Sequence, residues 1–175
     1  MMLGEGRQST GSVAQPDEGE LKVFTVVAGG ETLGLPISCV QTIFRVGKIT
    51  AVPMAAREIV GLINLRGKVN TATSLRLILG MPAEERREGA LAICIEHRSE
   101  HFALIVDEIG DVMVVSNSTR IQEPPNIDPK RAALTAAVFR LENEILPVLD
   151  IDALLDFGRG AARNMPANRH DGDRL

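Results

Sequence analysis

The sequence predicts a mostly β fold, small antiparallel barrels or a sandwich, made of two related halves that each end in a short helix. Three observations predict it. Short apolar runs alternate with turn signals along most of the chain, as closely spaced strands do. The apolar pattern repeats: Leu33, Leu35, Ile37, Val40 and Ile43 match Phe102, Leu104, Val106, Ile109 and Val112 at an offset of 69, and Leu65, Val69, Leu75 and Leu79 match Leu141, Ile145, Ile151 and Leu155 at an offset of 76. Helix signals repeat with it, since Ser74 and Asp150 stand where an N-cap is needed and Gly80 and Gly158 where a helix stops.

In chain order, Leu21 to Ala28 and Glu31 to Pro36 read as a strand pair around Gly29-Gly30, and Ile43 to Val46 as a third strand. Ile59 to Leu65 and Lys68 to Thr73 form a hairpin around Arg66-Gly67, and the first helix follows Ser74. Met81-Pro82 and the mixed charges of Glu84-Glu85-Arg86-Arg87-Glu88 read as a solvated linker. The second half runs through Ala90 to His97, His101 to Val106, Asp111 to Val115, Leu134 to Leu141 and Ile145 to Leu149, with a helix after Asp150. Flexible tails are expected over residues 1–20 and 158–175, leaving a domain over 21–157, its first part about 21–80 and its second about 90–157, with exchange of strands between them left open.

Composition narrows the function. A chain of 175 residues with 45% hydrophobic content supports a real core without metal or disulfide. Only 3% is aromatic, with no Trp or Tyr, so stacking platforms for single-stranded nucleic acid are lacking. A net charge of −4 further disfavours a phosphate backbone as partner. Residues 1–20 hold no apolar core of the signal-peptide kind, and no apolar run approaches the roughly 18 residues of a membrane span. A cytoplasmic protein without direct membrane insertion is expected. Cys39 and Cys94, set among apolar neighbours, are expected as buried reduced thiols.

The stretch from Gly61 to Val69 carries the clearest functional signal, because its hairpin displays Arg66 at the tip. It is not a phosphate-binding P-loop: five residues separate Gly61 from Gly67, and Lys68 precedes Val69 instead of Ser or Thr. Cys94, His97 and Asp107 could be drawn as nucleophile, base and orienter of a small hydrolase. Cys94 and His97, however, lie three apart on one strand and point to opposite faces. The same objection removes a metal site from Cys94, His97 and His101, which also lacks a fourth ligand. Asp107 and Glu108 are adjacent, so their carboxylates diverge. No catalytic residue, cofactor or metal is expected.

The chain resembles the CheW-like coupling proteins of bacterial chemosensory systems over almost all of Leu21 to Phe157. The resemblance is carried by Val23-Phe24-Thr25, Gly34-Leu35-Pro36-Ile37 and Val40-Gln41, and most specifically by Gly61-Leu62-Ile63-Asn64-Leu65-Arg66-Gly67. In the later half, Leu104-Ile105-Val106-Asp107-Glu108-Ile109 and Ile145-Leu146-Pro147-Val148-Leu149-Asp150 extend it. It implies two five-stranded SH3-like barrels packed across a hydrophobic interface, and a non-catalytic adaptor. Such an adaptor joins the regulatory domain of a CheA-type histidine kinase to the cytoplasmic helical tip of a chemoreceptor and assembles into arrays. Carried over by position, Val40 lies at the receptor groove, Gly61 permits close approach beside it, Arg66 supports that surface, and Asn64 and Gly67 shape the hairpin.

Two departures stand out. Thr42 occupies the position where the family usually has a Glu paired with the hairpin arginine. Thr71-Ala72-Thr73-Ser74 replaces the usual Pro-Val-aliphatic-Asp run, which implies less apolar burial there or a surface retuned for another partner. An adaptor in a motility, pilus or gene-regulatory chemosensory pathway is therefore the alternative to ordinary chemotaxis, and a Cys/His hydrolase the distant one.

Overall fold

The computed structural model describes residues 19–85, 87–122 and 126–156; apart from Gly19 and Glu20, the expected tails lie outside them, Gly158 included. All ten apolar runs form strands: β1 (Glu20–Ala28), β2 (Glu31–Pro36), β3 (Val40–Arg45), β4 (Ile59–Leu65), β5 (Lys68–Ser74), β6 (Leu91–His97), β7 (Glu100–Val106), β8 (Glu108–Ser116), β9 (Thr135–Arg140) and β10 (Ile145–Leu149). β3 and β8 start earlier than their apolar runs suggest, because pairing sets their ends: Val40 lies opposite Ile95, and Glu108 opposite Val27.

The strands make two five-stranded sheets, one ordered β8-β1-β2-β10-β9 and the other β3-β6-β7-β5-β4. Under the sequence repeat, β1 to β5 correspond to β6 to β10. Each sheet therefore takes its leading hairpin from one half and its other three strands from the other half. Parallel pairing of β2 with β10, and of β5 with β7, joins the exchanged hairpin to its host. Neither half completes a sheet alone.

Helix α1 (Leu75–Ile78) starts where Ser74 Oγ accepts from the Leu77 amide at 3.2 Å, and α3 (Ile151–Leu155) where Asp150 accepts from Ala153 at 3.1 Å. The first helix closes in a Schellman motif. Gly80, at φ +75, donates to the Leu77 carbonyl and Met81 to that of Arg76. Sequence reading missed α2 (Pro129–Ala133), although Asp128 caps it and Pro129 opens it, both ordinary start signals.

Strand alternation divides the buried residues among three clusters. Val23, Val115, Phe139, Leu146 and Val148 fill the first sheet's own interior, and Val46, Ile63, Ala72, Ala92 and Ile105 the second's. The largest cluster lies between the sheets. There Phe24, Val26, Leu33 and Leu35 meet Ile93, Ile95, Phe102 and Leu104, closed over by Leu75, Leu79, Leu149 and Leu154 of the helical corners. Each side chain so buried contributes about 1.5–3 kcal/mol, so this shared core holds the sheets together. In the Thr71 to Ser74 departure, Thr73 is fully buried at the position equivalent to Leu149, and its hydroxyl has no hydrogen-bond partner among the described residues.

Candidate functional site

The β4–β5 hairpin turns through two residues, with Leu65 opposite Lys68. Arg66 (φ +52) and Gly67 (φ +82) both lie in the left-handed region, which makes a type I′ turn. Asn64 Oδ1 accepts from the Gly67 amide at 2.8 Å and fixes the tip. That turn favours Asn or Gly at its first position, so an arginine there costs about 1 kcal/mol. The equivalent tip in the second half, Glu142-Asn143, has no positive φ and closes through the Leu141 amide on the Glu144 carbonyl. A hairpin at this point of the fold therefore does not require Arg66 or Gly67.

Arg66 is exposed and makes no ion pair among the described residues. Val69, opposite Asn64, is also exposed. Asn64, Arg66 and Gly67 thus form one tip. Gly61 lies further along β4, buried, and its reason is internal. At φ +152, a Cβ on it would lie 2.5 Å from the Thr50 carbonyl oxygen. Thr50 and Leu62 exchange two backbone hydrogen bonds of 2.9 and 2.8 Å beside it. The register shift between Ile59 and Gly61 marks a bulge, the ordinary role of a strand glycine. Val40 is half-buried at the start of β3, the outer strand on the far side of the sheet from β4, and packs against the shared core.

Sequence reading overlooked an exposed aliphatic pair at equivalent positions of the two halves. Ile43 on β3 lies opposite Ile93, and Val112 on β8 opposite Phe24; both partners belong to the shared core. Ile43 is 43% exposed and Val112 52%, with Val114 at 52% beyond it. Each outer strand therefore extends the inter-sheet core to an apolar rim. The uninterrupted run Val112-Met113-Val114-Val115, where a half-buried strand would alternate, was the available signal.

The candidate hydrolase residues have separate partners. The buried Cys94 thiol lies 3.4 Å from Asn70 Oδ1 and 3.6 Å from Gln41 Oε1. Burial pushes its pKa up, an effect Glu96 adds to and Lys68 opposes. His97 Nε2 stands 3.4 Å from Asp152, and Asp107 is held by Arg76. Cys39 is half-buried, its thiol donating to the Pro36 carbonyl at 2.8 Å, and burial pushes its pKa up to about 11. Neither thiol has the electropositive, accessible setting that activates a nucleophile. Among the described residues no helix is long and apolar enough to cross a membrane.

Known proteins resemble the chain in both sequence and fold. The CheW-like domain family matches residues 22–158. The chemotaxis protein CheW of Bacillus subtilis (strain 168) is 30% identical over 135 residues, covering 77% of this chain and 86% of the relative. That of Helicobacter pylori is 24% identical over 147 residues, covering 84% and 88%. Among solved structures, the scaffolding protein TtCheW from Thermoanaerobacter tengcongensis superposes with a TM-score of 0.68 at 22% identity, over 77% of this chain and 91% of that one.

Proposed function

The chain belongs to the CheW-like domain family, and from that membership we propose that it is a non-catalytic cytoplasmic scaffold of bacterial chemotaxis. In this reading it couples the helical tip of a chemoreceptor to the regulatory domain of a CheA-type histidine kinase, within arrays that both of its sheets help to build. The observation that carries it is Arg66. A cation is displayed on a turn that disfavours it, with no ion-pair partner among the described residues, while the shared core ends in exposed aliphatics on both outer strands. Apolar anchors with a polar rim suit a docked helix.

Val40 and Ile43 supply apolar contact on one outer strand, and Val112 and Val114 on the other. Arg66 offers its planar fork to a carboxylate or carbonyl of the helix. Asn64 and Gly67 hold the tip, and Gly61 acts indirectly by letting Thr50 lie against β4. Thr42 leaves Arg66 free to turn toward the partner. Arg66→Ala tests the assignment: receptor-dependent kinase control falls while circular dichroism and kinase binding stay as in the parent. Unaltered control would remove the hairpin tip from the functional surface.

A further inference from the structure

Asp107 stands where the chain leaves β7 in one sheet and enters β8 in the other. Its amide donates to the Val27 carbonyl of β1 at 2.9 Å. Its carboxylate accepts from the Gly29 amide in the β1–β2 turn at 2.6 Å, and from Arg76 of α1, through Nε at 2.8 and 3.0 Å and Nη2 at 2.8 Å. Asp107 thus ties the crossover to β1 through its amide, and to the β1–β2 turn and α1 through its carboxylate. The turn also lies against the Met81 side chain just beyond α1, whose Sδ would stand 2.5 Å from a Cβ on Gly29. Forked arginine contacts of this kind fix direction as well as distance.

The duplication shows that a crossover does not need this pair. Sixty-nine residues earlier, where β2 passes to β3, the position of Asp107 is taken by Ser38, which is exposed. The counterpart of Arg76, 76 residues later, is Asp152, which instead faces His97 and Arg98. The Arg76–Asp107 pair therefore belongs to one crossover alone, the one that launches β8. That strand is the one whose Val112 and Val114 form an exposed rim.

We propose that Asp107 and Arg76 are positioning residues for partner recognition, clamping the crossover so that β8 presents its apolar rim at a fixed angle to the opposite sheet. The recognition part rests on the scaffold reading; the clamping part does not. The test compares Asp107→Asn, which keeps the shape but removes the charge, with Arg76→Lys, which keeps the charge but removes the fork. Binding to a purified chemoreceptor tip fragment is measured where circular dichroism shows each variant folded, alongside hydrogen exchange.

Both variants should bind the fragment about tenfold more weakly, within the range that remote positioning changes produce. Both should also exchange faster at the β8 amides bonded to β1, with β6 amides unchanged. Wild-type binding in both folded variants overturns the recognition role. Unchanged β8 exchange overturns the clamp itself, even if the parent chain binds no receptor fragment and the scaffold reading fails separately. If Asp107→Asn does not fold, Arg76→Lys decides the matter alone.

Discussion

Replacing Gly61 by alanine tests whether this glycine serves the chain's own packing. The new Cβ would stand 2.5 Å from the Thr50 carbonyl oxygen and 2.6 Å from Ile49 Cγ2. Thr50 cannot withdraw freely, because it holds Leu62 through two backbone hydrogen bonds of 2.8 and 2.9 Å. If the contact survives, the variant carries backbone strain of about 1–3 kcal/mol at φ +152 and overpacking of similar size. If it breaks, two hydrogen bonds of about 1 kcal/mol each are lost and buried polar groups are left open. Either route gives a loss of about 2–6 kcal/mol, which is roughly 4–24 °C in Tm for a chain of this size. Guanidinium melts followed by circular dichroism measure it, and hydrogen exchange at the Leu62 amide distinguishes the routes. A loss below about 1 kcal/mol with Leu62 still protected would refute the packing account and return Gly61 to the partner surface. Until that is excluded, lost coupling in a bulky Gly61 variant reports on the fold, and Arg66 is the cleaner probe.

Arg66→Asn should raise stability by about 0.5–1 kcal/mol, because asparagine suits the left-handed turn position, while weakening receptor coupling; a denaturant melt and a coupling assay on one preparation check both halves. Thr73→Val should add about 1–2 kcal/mol by removing a buried hydroxyl that has no partner among the described residues, whereas a lower denaturation midpoint would show the hydroxyl to be satisfied. Burial pushes the Asp107 carboxyl upward, but the Arg76 guanidinium and the Gly29 amide outweigh it and hold its pKa below the usual carboxylate value. Its folded pKa being depressed, its stabilising effect is complete above the unfolded value of about 4 and is lost as pH falls through the folded one. The stability gap between parent and Asp107→Asn should therefore be constant near neutrality and narrow below about pH 4; a gap that persists undiminished to the acid limit of folding would contradict it.

The strands were legible because apolar runs and turn residues act locally, and the duplication doubled each signal. Ser74 and Asp150 announced their helices for the same reason. Asp128-Pro129 carried an equally good start signal, but α2 is too short to show a helical period and has no counterpart in the repeat. What sequence could not supply was the partner across space. Gly61 reads alike whether a foreign helix or Thr50 approaches it, and only the fold shows that Thr50 is there. Ile43 and Val112 were visible as a matched pair, but their exposure depends on β3 and β8 being outer strands, which pairing alone decides. Arg66 was found because a charge at a turn tip needs no distant context.

The central claim is that this chain physically links kinase to receptor, and co-sedimentation tests it most directly. Membrane vesicles bearing a chemoreceptor are mixed with a CheA-type kinase, with and without the purified chain. The account predicts that the kinase sediments with the vesicles only when the chain is present, and that Arg66→Ala abolishes most of this recruitment while still binding kinase in solution. Kinase recruitment that is the same with or without the chain, or a chain that binds neither component, would contradict it.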